Sequence, residues 1–107
     1  MIARIWHGIV PEAKADAYTE YLKRTGIPDY QATPGNRGVQ LLRRFEDGKA
    51  HFLLVTHWES MDAIRRFAGD EPEKARYYPE DTEFLIELEP RVSHYEPVEI
   101  SSSGQDE

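Results

Sequence analysis

The chain has 107 residues, 39% of them hydrophobic and 31% charged, with a formal charge of −7 at neutral pH. Such a length buries one modest core, not two, and the acidic balance excludes a phosphate-gripping surface, so neither nucleic acid nor an anionic membrane is an expected partner. Without cysteine there is no disulfide, thiolate nucleophile or Cys-based metal site.

Ile2 to Ile9 reads as a first strand, with Ala3, Ile5, His7 and Ile9 on one face and Ile2, Arg4, Trp6 and Gly8 on the other. Both faces carry large apolar groups, so cover on both sides is expected. The same segment lacks the basic, apolar and small-residue pattern of a leader. Pro11 suits a first helical turn. From Glu12 to Thr25, the residues Ala13, Ala17, Tyr18, Tyr21 and Leu22 then make one helical stripe. Gly26 is expected to end this helix as a left-handed cap, with Ile27 folding back on Leu22. Pro28 to Asn36, with two prolines and a glycine, reads as a connector.

Gly38 to Phe45 is the second strand. Glu46-Asp47-Gly48-Lys49 then predicts a hairpin, because Asp-Gly accepts the positive φ of a primed turn. The return strand, Ala50 to Glu59, alternates Phe52, Leu54, Thr56 and Trp58 with His51, Leu53, Val55 and His57, and is again apolar on both faces. Ser60 can cap a helix whose buried stripe is Ala63, Ile64, Phe67 and Ala68, with Gly69 at its end. Asp70 and Glu73 around Pro72 predict a short helix through about Tyr78. Pro79 stops it, and Glu80 to Leu88 reads as a further helical turn or two. Arg91 to Val98 is the last strand. Residues 100–107 form a polar tail expected to be disordered, which leaves 1–99 as the domain. No apolar run approaches the roughly 20 residues of a membrane helix, and a cytoplasmic protein is expected.

Strand, helix, hairpin, helix and strand give a ferredoxin-like α+β domain, βαββαβ, with a four-stranded antiparallel sheet and helices on one face. Right-handed crossovers put the first and third strands in the middle. Two helices cover only one face. The other would leave Ile5 or Trp6 and their third-strand neighbours in water, which predicts a homodimer closed through the sheet.

The run Phe52-Leu53-Leu54-Val55-Thr56-His57-Trp58-Glu59-Ser60-Met61-Asp62-Ala63-Ile64-Arg65-Arg66-Phe67-Ala68-Gly69 is a strand ending in Trp-Glu-Ser, followed by a helix of the form Asp-Ala-Ile…Phe. It resembles the antibiotic biosynthesis monooxygenase family, and Val92-Ser93-His94-Tyr95-Glu96 is similar to that family's last strand. The resemblance runs from Met1 to about Glu99 and implies a dimeric α/β barrel. For function it implies a monooxygenase using O₂ without metal or flavin on a small aromatic or polyketide-like substrate. The alternative is a non-catalytic barrel that binds a small ligand. Haem-degrading members use an Asn, a Trp and a His at places held here by His7, Phe67 and Tyr77, so the resemblance does not carry haem chemistry.

The candidate catalytic residues are His7, as a base or hydrogen-bond donor, and Tyr77. The expected substrate pocket is lined by Ile5, Tyr18, Tyr21, Leu54, Trp58 and Phe67. A structural histidine and ordinary core aromatics are the competing reading. His51 and His57 share a strand face, but at about 3.4 Å per residue they stand about 20 Å apart and cannot share a metal. His7 can approach His51 if the register puts both on one face. No metal and no cofactor are expected. The acids Asp70, Glu71, Glu73, Glu80, Asp81 and Glu83 read as helix-start and solvated-face charges.

Overall fold

The structure is a computed structural model that describes residues 1–99; the tail expected at 100–107 lies outside the described residues. Its elements are β1 (Ile2–Pro11), a 3-10 turn (Glu12–Lys14), α1 (Ala15–Arg24), α2 (Gly26–Ala32), β2 (Asn36–Glu46), β3 (Lys49–Trp58), α3 (Met61–Ala68), a second 3-10 turn (Pro79–Glu83) and β4 (Ser93–Tyr95). The strands form one antiparallel sheet in the order β2-β3-β1-β4, with β1 and β3 central as the crossovers require. This is the ferredoxin-like α+β arrangement. No helix among the described residues is long and apolar enough to cross a membrane.

Strand alternation divides the sheet into two unlike faces. On one, Arg4, Trp6 and Val10 pair across from Thr56, Leu54 and Ala50 and are buried under the helices. They join Tyr18, Tyr21 and Leu22 of α1, Tyr30 of α2 and Ala63, Ile64 and Phe67 of α3 in one core. Burying each large side chain there contributes about 1.5–3 kcal/mol. On the other face Ile5, His7 and Ile9 stand opposite Val55, Leu53 and His51, and all six are only half-buried.

Several local expectations hold. Asp47 (φ 54°) and Gly48 (φ 75°) make the primed hairpin turn. Ser60 accepts from the Ala63 amide at 3.2 Å and caps α3. Two other segments differ from the sequence reading. Gly26 is not a left-handed cap: the chain kinks at Thr25 (φ −118°, ψ −86°) and restarts as α2. Pro28 falls in the first turn of that helix, where amides have no intrahelical acceptor to lose, so the connector is a helix.

Residues 70–78 do not form the capped helix expected of them. Lys74 bridges Arg91, the Ala75 amide bonds to Pro90 O at 2.9 Å, and the Val92 amide bonds to Glu73 O at 2.9 Å. Pairing with a distant segment satisfies this backbone instead of a local helix. The same pairing shortens the last strand, because Arg91 and Val92 turn toward 73–74 and Pro97 has no amide to donate. Between them, the Ile86 amide bonds to Ile9 O at 2.8 Å, which lays the 85–90 segment along the far end of β1.

Gly8 sits where the indole of Trp6 folds back along the strand. A Cβ there would come 2.3 Å from Trp6 Cη2 and 2.9 Å from Leu85 Cδ2. Gly8→Ala is therefore expected to cost about 1–3 kcal/mol by overpacking, lowering the melting temperature by about 4–8 °C per kcal/mol. An unchanged thermal midpoint would show that the indole has another place to lie.

Candidate functional site

The covered face of the sheet and the helices enclose a small cavity of about 20 Å³, room for about one water. Trp6 and Leu54 form its floor, Tyr18, Tyr30 and Phe67 its aromatic walls, and Arg76, Tyr78 and Asp81 close it. Tyr30 stacks on Phe67 at 4.2 Å between centroids, and Trp58 backs Phe67 at 6.0 Å. The indole of Trp58 is occupied structurally: its Nε1 donates to Thr56 Oγ1 at 2.8 Å, which donates to Arg4 O at 3.2 Å. Tyr21 packs behind Tyr18, with ring centroids 5.8 Å apart.

Two polar groups in this apolar setting stand out. Asp81 is 3% exposed and accepts from the Tyr18 hydroxyl at 2.9 Å and the Tyr78 amide at 2.6 Å. Burial pushes its carboxyl above the usual aspartate range, and the two hydrogen bonds draw it part of the way back. Burial and the neighbouring Asp81 together push the Tyr18 hydroxyl well above the usual tyrosine range. The second group is Trp6 Nε1, a buried donor whose polar neighbour is the Tyr77 hydroxyl, without a well-formed hydrogen bond between them.

Positive charge lies close by. The Arg76 guanidinium is 4.8 Å from the Phe67 centroid and 5.4 Å from that of Tyr78, and it donates to Phe67 O at 3.0 Å. Arg4, 1% exposed, lies 5.5 Å from the Phe67 centroid and donates to Lys74 O at 3.0 Å and Pro72 O at 3.4 Å. Its charge is held by carbonyl oxygens instead of a carboxylate, and burial lowers its pKa.

The single pocket expected from the sequence is not formed. Tyr18, Leu54 and Phe67 line the cavity, while Tyr21 and Trp58 support it from behind. Ile5 and His7 lie on the opposite face of the sheet, because Trp6 between them points to the helices and side chains alternate along a strand. Tyr77 is half-buried at the sheet edge, 6.3 Å edge-on to Trp6, with its hydroxyl donating to Glu89 O. Asp81 is a helix-start acid as read from the sequence, at N3 of the second 3-10 turn, but it is buried instead of solvated. The sequence does not reveal the part played by Trp6, Tyr30 and Arg76.

On the open face, His7 does meet His51. His7 Nε2 and His51 Nδ1 are 3.2 Å apart, and His7 Nδ1 lies 2.7 Å from Glu89 Oε2. Beside them is a concavity of about 260 Å³ walled by Leu42 and Leu53 and edged by Arg43 and Arg44. No three metal-ligating side chains among the described residues are disposed to hold a metal ion.

A family model for antibiotic biosynthesis monooxygenases matches residues 1–75. The chain belongs to this family. Among solved structures, a candidate antibiotic biosynthesis monooxygenase from Bacillus cereus shares 14% identity at a TM-score of 0.68, covering 95% of this chain and 97% of that one. Another from Nitrosomonas europaea shares 16% at 0.67, covering 92% and 100%. The haem degrader MhuD of Mycobacterium tuberculosis, solved with two haems in its active site, shares 22% at 0.65, covering 95% and 100%. At these identities the likeness shows the fold alone. No curated protein matches the sequence. The residues at the cavity under the helices do not fit haem: no histidine lines it, and the Tyr77 hydroxyl is committed to a backbone carbonyl.

Proposed function

We propose that the protein is a cofactor-independent monooxygenase that oxidises a small phenolic or enolisable, polyketide-like aromatic between sheet and helices. The observation that carries this reading is a buried carboxyl, Asp81, in a cavity walled by the aromatic rings of Tyr18, Tyr30 and Phe67. Asp81, made more basic by burial, takes the substrate proton. Arg76, which lines the cavity, and Arg4, behind Phe67, favour the negative charge of the resulting oxyanion.

The electron-rich anion reduces O₂ by one electron, and the radical pair collapses to a C–O bond as a peroxide. The proton held on Asp81 goes to the distal oxygen. The remaining C–H bond at that carbon then breaks, Asp81 taking the proton, and its electron pair forms the C=O bond as the O–O bond breaks. The departing hydroxide regains the proton and leaves as water. A methylene thus becomes C=O, with one oxygen atom retained and the other released as water. Substrate entry requires the rim to part where Tyr78 bonds to Asp29 and Arg76 lies 3.7 Å from the same carboxylate. Oxygen uptake with a panel of hydroquinones and anthrones, in the presence of a chelator, tests the reaction. Uptake no faster than the uncatalysed rate across the panel overturns it.

We further read the open sheet face as the contact of a homodimer. Half-buried Ile5, Ile9, Leu53 and Val55 adjoin Leu42, 40% exposed, and Tyr95, 57% exposed. A second copy about a two-fold axis covers such a patch with itself. Sedimentation at micromolar concentration is expected to give a dimer, and Leu53→Asp, which places a carboxylate in the contact, a monomer. A monomeric wild type sinks this reading.

A further inference from the structure

We propose that Glu89, His7 and His51 form a second acid–base site, separate from the cavity under the helices, which removes a proton from a small phenol held in the open-face concavity, with His51 Nε2 as the base. The assignment follows from hydrogen-bond logic. Glu89 Oε2, 2.7 Å from His7 Nδ1, accepts its proton, which leaves His7 Nε2 as an acceptor. The 3.2 Å contact to His51 Nδ1 is then a donation from His51. One lone pair remains in the relay, on His51 Nε2, which has no partner among the described residues, and the His51 side chain lines the concavity.

Proton uptake at that nitrogen lets the Nδ1 proton of His51 pass to His7 Nε2, so the positive charge comes to rest against the Glu89 carboxylate. The phenol O–H bond breaks with its electron pair left on oxygen, and an N–H bond forms on His51. This is the arrangement of a base oriented and stabilised by a third group. His7, the more obvious candidate in the sequence, is the positioning residue, and His51 does the chemistry.

The surroundings select the ligand class. A volume of about 260 Å³ between Leu42 and Leu53 suits one substituted aromatic ring. An imidazole has no proton to take from a carboxylate that is already ionised, and it is too weak a base for an aliphatic alcohol. A phenol or enol lies between these limits. Arg44 at the rim is paired with Glu46 at 2.6 Å, which leaves that edge of the concavity polar but close to neutral. The second copy proposed above would close the open side of the concavity, but the three relay groups come from one chain.

The probe is 4-nitrophenol, whose phenolate absorbs visible light and whose acid does not. At a pH where the free probe is mostly protonated, wild-type protein is expected to bind one equivalent and raise the phenolate signal. His51→Ala should lose the signal at least tenfold, and Glu89→Gln should retain binding with a several-fold smaller ionised fraction. Leu42→Trp should fill the concavity and abolish binding while the far-UV circular dichroism and the sedimentation of the protein stay those of wild type. No phenolate signal with wild type overturns the site. So does a signal that persists in His51→Ala or in Leu42→Trp, because the probe is then ionised elsewhere.

Discussion

Asp81→Asn is expected to lower oxygen-dependent turnover by about 10²–10⁴-fold, the range for loss of a positioned general base. The wild-type rate should fall on the acid side as Asp81 is protonated. That limb should lie above the 3.8 of a free aspartate, because burial raises this carboxyl. The asparagine variant should show no such limb. The linked effect on stability has the opposite sense. A carboxyl whose folded pKa is raised binds its proton more tightly in the native state, so its contribution is fully present below the unfolded value and is lost as pH rises through the folded one. The variant should therefore melt with less pH dependence across that window. An amide has one acceptor oxygen where the carboxylate had two, and either the Tyr18 hydroxyl or the Tyr78 amide loses its partner, costing about 1–3 kcal/mol. A folded variant that turns over at the wild-type rate would remove Asp81 from the mechanism.

The features legible in the sequence are those set by neighbours along the chain. The Asp47-Gly48 turn, the Ser60 cap and the alternation of β3 each depend on a few adjacent residues, and each appears where the pattern put it. Element order then sufficed for the sheet order, because crossover handedness leaves few choices. The misreadings come from partners far away in sequence. Asp81 looked solvated within a run of acids, yet its partner Tyr18 is 63 positions earlier. Glu89, which nothing in the sequence singles out, reaches His7 across 82 positions. The two faces of β1 were separable from the first, but both are apolar enough to meet helices. On the helix side Trp6 folds over Gly8 beside Leu85, and alternation along the strand then puts His7 on the open side. Pro28 suggested a connector because proline breaks helix interiors, and only its place in a first turn makes it compatible with α2.

Arg4→Ala should destabilise the fold by about 2–4 kcal/mol, from lost hydrogen bonds of a charged donor and lost packing in a buried site. Its guanidinium ties the irregular 72–74 backbone to β1 through Lys74 O and Pro72 O, and it lies against Phe67 in the cavity wall. Arg4→Met restores the packing but not the donors, so it should recover part of the loss, as apolar replacements of buried charges commonly do. His94 provides a readout that general loosening would not mimic. Burial first, and the Arg4 charge second, hold its imidazole below the usual 6.5, with Glu73 opposing them. A histidine depressed in the folded state favours the fold above its unfolded pKa, and that contribution is lost as pH falls through the folded value. In Arg4→Met the His94 midpoint, followed by proton NMR, should rise but stop short of 6.5, because burial is the larger cause and remains. A midpoint unmoved by the substitution would mean that the Arg4 charge is screened from His94. The same cation would then lend little stabilisation to an anion in the adjoining cavity, leaving Arg76 as the group that must supply it.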